Sequence, residues 1–139
     1  MQKYRPKHFG DNIIQNRNKR RPAMFKRKIL KKLEAWKKSN LRKPLILRGA
    51  RQVGKTTIVN EFGLQYDNYL YFNMEKSENV KLFEMEIPLD DLVTTLFASV
   101  GKTQKPGQTI IFIDEIQNSP KTIALLRYFY EQRPDLHVI

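Results

Sequence analysis

The chain has 139 residues, no cysteine and a formal net charge of +12, from 26 lysines and arginines against 14 aspartates and glutamates. This length is enough for one domain with a hydrophobic core, and the lack of cysteine excludes the usual zinc fingers. No apolar run approaches the roughly 18 residues of a membrane span, and no apolar segment follows the basic N-terminus as in a secretory signal.

The first 23 residues contain few apolar side chains, two prolines and a dense basic cluster. We therefore expect 1–23 to be a basic extension with little fixed structure and place the domain at 24–139. Apolar side chains then recur at helical spacing, which predicts an amphipathic helix to about Ser39 that packs on a core. These apolar positions are Phe25, Ile29, Leu30, Leu33 and Trp36.

The basic residues are concentrated in the first part of the chain. Up to Lys55 there are 19 basic and two acidic residues, whereas the remainder has seven basic and 12 acidic residues. Dense clusters at 17–21 and 26–28 suit an anionic partner, of which nucleic acid is the obvious one. No helix-turn-helix, zinc-finger or RNA-binding aromatic motif accompanies them, so a solvated basic helix face is the alternative explanation.

Residues 49–56, Gly-Ala-Arg-Gln-Val-Gly-Lys-Thr, fit the phosphate-binding loop pattern G-x-x-x-x-G-K-[ST]. A strand-like apolar run at 44–48 precedes them and a helix-compatible segment at 57–62 follows. Lys55 suits the β- and γ-phosphates of a nucleoside triphosphate, and the Thr56 hydroxyl suits Mg²⁺. Backbone N–H groups of the loop and the positive end of the next helix would face the phosphates. The predicted nucleotide-binding set is Gly49, Ala50, Arg51, Gln52, Val53, Gly54, Lys55, Thr56 and Thr57.

Beyond this loop, strand and helix patterns alternate, which predicts an α/β fold with a parallel sheet. The loop's own helix is expected to reach about Gln65. An aromatic strand, two helices, an apolar strand and a further helix follow, before a last strand opens at Leu136. Their expected ranges are 68–73, 78–86, 89–100, 108–113 and 120–132.

The apolar run at 109–113 ends in two acids, Asp114 and Glu115. Such a run is typical of a strand buried on both faces, and its carboxyl end lies where α/β sheets bind ligands. Asp114 is a candidate to hold the coordination shell of Mg²⁺, together with Thr56. Glu115 suits the general base that polarises the water attacking the γ-phosphate.

Several polar residues are weaker candidates, each with a common structural alternative. Asn73 could contact the attacking water or the metal shell, but it is also a frequent turn former. Gln117 could sense the γ-phosphate or cap a loop. Arg127 and Arg133 could supply transition-state charge in a neighbouring subunit or lie on a helix surface. The sequence Leu136-His137-Val138 favours a satisfied strand histidine over a catalytic one.

The segments 49–56, 112–117 (Phe-Ile-Asp-Glu-Ile-Gln) and 126–131 (Leu-Arg-Tyr-Phe-Tyr-Glu) together resemble a large group of uncharacterised prokaryotic AAA+ ATPases. The resemblance extends from about residue 24 to residue 139. It implies a P-loop NTPase fold, with a parallel sheet sandwiched by helices. It also implies that the loop is the Walker A motif, and that Asp114 and Glu115 form the Walker B motif.

The same resemblance implies that the strand beginning at Leu136 lies between the Walker A and Walker B strands, and that the chain stops inside it. A polar sensor, a last core strand, a helical lid and a C-terminal domain would then be missing, leaving an incomplete AAA+ core. The expected cofactors are ATP and Mg²⁺, the expected location is the cytoplasm, and self-association or the missing domain would supply partners.

Two functions therefore remain open. The first is a Mg²⁺-dependent ATPase fragment, which either hydrolyses ATP or only binds it. The second is a basic nucleic-acid-binding or interaction fragment in which the nucleotide site is vestigial.

Overall fold

The computed structural model describes the backbone of residues 11–49 and 54–139, and the side chains of these ranges from residue 23 onward. Helices and strands alternate along this part of the chain, and a short 3-10 turn at Ile116–Asn118 precedes the last helix. The elements are α1 (Asp11–Lys38), α2 (Lys55–Gly63), β1 (Asn68–Asn73), α3 (Ser77–Phe83), α4 (Leu89–Ser99), β2 (Thr109–Asp114), α5 (Pro120–Gln132) and β3 (Leu136–Val138).

The three strands form one parallel sheet in the order β1-β2-β3. In its register, Asn73 lies opposite Asp114 and Ile111 lies opposite Val138. Ile139 continues the ladder beyond β3, because its N–H donates to Ile111 at 3.0 Å and its carbonyl accepts from Ile113 at 2.8 Å. This arrangement confirms the predicted α/β fold with a parallel sheet.

Helices cover both faces of the sheet, as its central strand requires. On β2, Ile111 and Ile113 belong to the core formed with α3, α4 and α5. The alternate residues Ile110 and Phe112 belong to the core formed with α1 and α2, which includes the fully buried Phe62. Because successive strand side chains point to opposite faces, the uninterrupted apolar run of β2 buries both sides. The predicted helix–sheet–helix sandwich is confirmed.

The strand predicted at 44–48 is not a regular strand. Its described backbone makes one ladder-type hydrogen bond, from Leu45 N–H to the Val138 carbonyl at 2.9 Å. A strand requires successive bonds to its neighbour, and a single one does not meet that requirement. The segment nevertheless lies beside β3, on the side away from β2. β3 thus lies between segment 44–48 and β2.

Helix α1 begins at Asp11, earlier than the sequence predicted. Residues 11–23, for which we expected little fixed structure, are helical. Their straight-chain glutamine, lysine and arginine residues have good helix propensity. Residues 1–10 lie outside the described part, and a domain boundary at residue 24 stays a prediction. No helix of the described residues has the length and apolarity that crossing a membrane requires.

The core face of α1 largely follows the predicted spacing. Leu33 is almost fully buried, and Ile29, Leu30 and Trp36 pack against the same cluster. The Trp36 indole N–H donates to the Lys43 carbonyl at 2.7 Å, so its polar atom is satisfied. Phe25 was expected in this core but is 49% exposed. The packed part of α1 therefore begins about one turn later than the pattern indicated.

A buried polar pair anchors β3 beneath α1. The Tyr66 hydroxyl and His137 Nδ1 share a hydrogen bond of 2.6 Å, and the Trp36 ring meets His137 edge-on at a centroid distance of 5.6 Å. Burial, followed by the nearby charges of Arg42 and Lys37, lowers the pKa of His137 to about 4. The side chain is therefore neutral at physiological pH, which confirms the interpretation of His137 as a satisfied strand histidine.

Candidate functional site

The first side of the candidate site is the start of α2. Gly54 precedes this helix with φ +79°, a left-handed conformation that glycine adopts without a steric penalty. Its carbonyl accepts the first helical hydrogen bond, from Ile58 N–H at 3.0 Å. The Lys55 ammonium donates to the Gly49 carbonyl at 2.8 Å. The lysine thus folds back toward the first glycine of the predicted loop.

Gly49 and Gly54 are the described ends of that loop. The predicted binding residues Ala50, Arg51, Gln52 and Val53 lie outside the described residues. Gly49 and Gly54 flank this gap, and both are exposed. Their exposure leaves both ends of the predicted loop accessible to a ligand.

The second side of the site is the carboxyl end of β2. The Thr56 hydroxyl donates to Asp114 Oδ2 at 2.9 Å, which joins the start of α2 to the end of β2. The Glu115 N–H donates to the other oxygen, Oδ1, at 3.1 Å. The structure therefore brings together the two residues that the sequence predicted as metal ligands, although they are far apart in the chain.

Tyr71 also contacts the Asp114 carboxylate, although it was not predicted as a site residue from the sequence. Its hydroxyl donates to Asp114 Oδ2 at 3.1 Å. Burial, followed by the hydrogen bond to the Asp114 carboxylate, raises the pKa of Tyr71 to about 12. The hydroxyl therefore keeps its proton at neutral pH and acts as a donor to the carboxylate.

Glu115 occupies a sharp turn directly after β2. Its backbone adopts φ +55° and ψ +38°, a left-handed conformation that is uncommon for a residue other than glycine. The Gln117 side-chain amide donates to the Glu115 carboxylate. Of the two roles considered for Gln117, the described contacts therefore match the local one within the loop.

The described contacts of Asn73 match its structural alternative, that of a turn former. Its side-chain oxygen accepts from Glu75 N–H at 2.8 Å, and its carbonyl accepts from the Asn79 amide at 2.9 Å. These bonds form the turn that follows β1. Although Asn73 lies beside Asp114 in the sheet, its side-chain oxygen already holds the backbone of this turn.

The two candidate arginines are tied to nearby carboxylates. Arg127 pairs with Glu131 at 2.7 Å, one turn along α5. Arg133 follows α5 and pairs with both Asp90 and Asp135 at 2.9 Å. Arg133 thereby links the end of α5 to the first turn of α4, which is a structural contact.

A cleft opens between segment 45–47, the start of α2 and the carboxyl end of β2. Segment 45–47 forms one wall, and Lys55, Asp114 and Glu115 supply its charged groups. It lies at the carboxyl ends of the parallel strands, the edge at which α/β sheets bind ligands. Thr56 and Asp114 are also hard oxygen donors, the kind that Mg²⁺ prefers. The described residues thus fit a phosphate ligand with a divalent cation.

A helix-covered parallel sheet with a glycine–lysine–threonine turn beside its acidic edge defines a P-loop NTPase-like fold. The family model described as AAA domain matches residues 41–139, which is most of the chain. The chain therefore belongs to the AAA domain family of ATPase-like proteins. No curated protein and no solved structure matched the chain.

Proposed function

We propose that the chain binds ATP with Mg²⁺ in this cleft and acts as an ATPase. The observation that carries the proposal is the 2.9 Å hydrogen bond between the Thr56 hydroxyl and Asp114. It places a hydroxyl and a carboxylate together beside the N–H groups at the start of α2. Membership of the AAA domain family supports the same assignment.

Each group has a distinct role in binding. The N–H groups at the start of α2 and in the preceding loop bind phosphate oxygens, because a helix N-terminus carries unsatisfied donors and partial positive charge. Lys55 would exchange its contact with the Gly49 carbonyl for the β- and γ-phosphates. Thr56 and Asp114 would hold Mg²⁺, which when bound neutralises charge on the phosphates.

Glu115 is the proposed general base of hydrolysis. Its carboxylate would accept a proton from water as that water attacks the γ-phosphorus. The bond from the γ-phosphorus to the bridging oxygen breaks, and ADP and inorganic phosphate are released. Before catalysis, Glu115 would have to leave its hydrogen bond with Gln117.

Replacement of Thr56 by valine tests the metal part of the proposal. Valine keeps the shape of the side chain and removes the hydroxyl that bonds Asp114. We expect ATP affinity to lose most of its dependence on Mg²⁺, with the affinity measured in excess EDTA largely unchanged. Calorimetric titration of ATP, with and without Mg²⁺, measures both quantities.

Thr94→Val is the matched control for this experiment. Its hydroxyl bonds the Asp90 carbonyl on α4, away from the cleft, so its Mg²⁺ dependence should equal that of the wild type. Equal Mg²⁺ stimulation of ATP binding in Thr56→Val and the wild type would contradict the assignment of Thr56 as a metal ligand. A wild-type chain that binds no ATP would contradict the proposed function as a whole.

We propose as a second candidate that α1 binds the phosphate backbone of nucleic acid. Its solvent side presents a basic surface with the exposed residues Arg27, Lys28, Lys31, Lys32 and Lys38. Arg27, Lys31 and Lys38 fall on one line because they are spaced by four and seven residues. Among the described basic side chains of α1, only Lys26 forms an ion pair, with Glu61 at 2.6 Å. This surface therefore carries charge that can replace counterions on a phosphate backbone.

Charge reversal on this surface tests the second candidate. We expect the double variant Arg27→Glu/Lys31→Glu to bind a fluorescent oligonucleotide more weakly, by about tenfold or more at low salt, and with a smaller salt dependence. The double variant Lys81→Glu/Lys121→Glu makes the same charge change on other exposed positions and serves as the control. Similar losses in both double variants would indicate a net-charge effect and would reject α1 as a binding surface.

A further inference from the structure

We infer that Tyr71 is a positioning residue that holds the Asp114 carboxylate in the orientation required for metal binding. The inference rests on the proposed function, because it concerns the same Mg²⁺–ATP site. It assigns a role to a residue of β1 that belongs to neither of the two nucleotide-binding motifs.

Hydrogen bonds from separate parts of the chain hold the Asp114 side chain. Among the described residues, three donors contact its carboxylate, from the start of α2, from β1 and from the turn after β2. Oδ2 accepts from the Thr56 hydroxyl at 2.9 Å and from the Tyr71 hydroxyl at 3.1 Å, and Oδ1 accepts from the Glu115 N–H at 3.1 Å. Without Tyr71, Oδ2 would keep a single donor among the residues that the structure describes. That donor is the Thr56 hydroxyl, which is itself a proposed metal ligand.

The sheet register explains how Tyr71 reaches this carboxylate. Tyr71 lies opposite Phe112, and Asn73 lies opposite Asp114. Residues two apart on a strand share a face, so Tyr71, Phe112 and Asp114 lie on the same side of the sheet. The Tyr71 ring packs on Phe112 with a centroid distance of 5.3 Å. The tyrosine side chain is long enough for its hydroxyl to reach Asp114 along the sheet. A serine or threonine side chain would be too short to make this contact.

Tyr71 also lies at the edge of the described sheet. β1 is the outer strand in the order β1-β2-β3, and Tyr71 is 38% exposed. Water therefore has access to this side of the carboxylate. A fixed hydroxyl donor there limits rotation of the carboxylate and replaces mobile water. Partners of metal-binding carboxylates commonly contribute to metal affinity in this way.

Replacement of Tyr71 by phenylalanine tests the inference. Phenylalanine keeps the ring that packs on Phe112 and removes only the hydroxyl, so the melting temperature should change little. We expect the Mg²⁺ concentration for half-maximal ATP binding to rise about tenfold. ATP affinity in excess EDTA should stay at the wild-type value. Fluorescence titration of Mg²⁺ at a fixed concentration of a labelled ATP analogue measures this shift without requiring turnover.

The neighbouring Tyr69 provides a matched control. It lies on the same strand and face, but its hydroxyl bonds Asn60 on α2 rather than Asp114. We therefore expect Tyr69→Phe to keep the wild-type Mg²⁺ half-saturation. A rise in the Mg²⁺ half-saturation in Tyr71→Phe but not in Tyr69→Phe would support the positioning role. It would exclude a general effect of removing a tyrosine hydroxyl from this face of the sheet.

The outcomes separate this inference from the proposed function. If the wild type shows no Mg²⁺-stimulated ATP binding, both the proposed function and the inference are overturned. If the wild type shows it and Tyr71→Phe has the same Mg²⁺ half-saturation, the inference alone is overturned. Equal losses of ATP affinity with and without Mg²⁺ in Tyr71→Phe would also overturn it, since they indicate a general structural role.

Discussion

Replacement of Lys55 by alanine is expected to lower the affinity for Mg²⁺–ATP by about 10- to 100-fold. The physical reason is the loss of a charge-assisted contact to the phosphates, which contributes about 1.5–3 kcal/mol. The Lys55 ammonium already lies at the site, 2.8 Å from the Gly49 carbonyl. Exchange of a neutral carbonyl for anionic phosphate oxygens should therefore strengthen its interaction.

The measurement is calorimetric titration of Mg²⁺–ATP at low salt, because screening weakens exposed charge interactions. Lys81→Ala is the control, since it removes the same charge from an exposed position on α3. Its affinity should remain within about twofold of the wild type, on the ordinary scale of distant charge effects. If Lys55→Ala and Lys81→Ala bind Mg²⁺–ATP equally well, Lys55 does not contact the phosphates.

Local sequence signals account for most of the secondary structure. The strand predicted at 68–73 is β1, and the helix predicted at 120–132 is α5. In α5 the signals are explicit: Pro120 occupies the first turn, and the Ser119 side chain accepts from Thr122 N–H at 3.3 Å. Such caps act within a few residues of the chain, so the sequence pattern alone is sufficient to locate them.

Two of the errors occur where structure depends on distant residues. Regular strand geometry at 44–48 would require successive pairing with β3, and the described backbone makes one such bond, to Val138. Apolar composition cannot reveal how many such bonds will form. The prediction that Phe25 is buried was wrong for a related reason. Helical spacing locates the apolar face of a helix, but it cannot show where along the helix the packing partner begins.

In the candidate site, too, local motifs could be predicted from the sequence and contacts between distant residues could not. Thr56 and Asp114 belong to motifs whose chemistry can be recognised from the sequence, and the structure places them in hydrogen-bond contact. Tyr71 contacts the same carboxylate, but its role depends on the register between β1 and β2. An aromatic residue in a strand normally indicates only packing. The predicted roles of Ala50 to Val53 stay predictions, since these residues lie outside the described part of the chain.

Replacement of Glu115 by glutamine is expected to leave Mg²⁺–ATP binding near the wild-type level and to lower the rate of hydrolysis by about 10²- to 10⁴-fold. Glutamine has the shape of glutamate but cannot accept the proton of the attacking water as a carboxylate does. Backbone geometry supports a specific role at this position. Glu115 adopts φ +55° directly after Asp114, and such strained conformations persist where the surrounding structure fixes a side chain.

Binding and phosphate release must be measured on the same preparations of the wild type and Glu115→Gln. Glu78→Gln is the control, because Glu78 is an exposed carboxylate in the first turn of α3 and should leave both quantities unchanged. If Glu115→Gln hydrolyses ATP at the wild-type rate, another group accepts the proton. If it loses ATP binding instead, Glu115 helps to form the binding site, and its assignment as general base is wrong. Retained binding with lost turnover is the one combination that a general base requires.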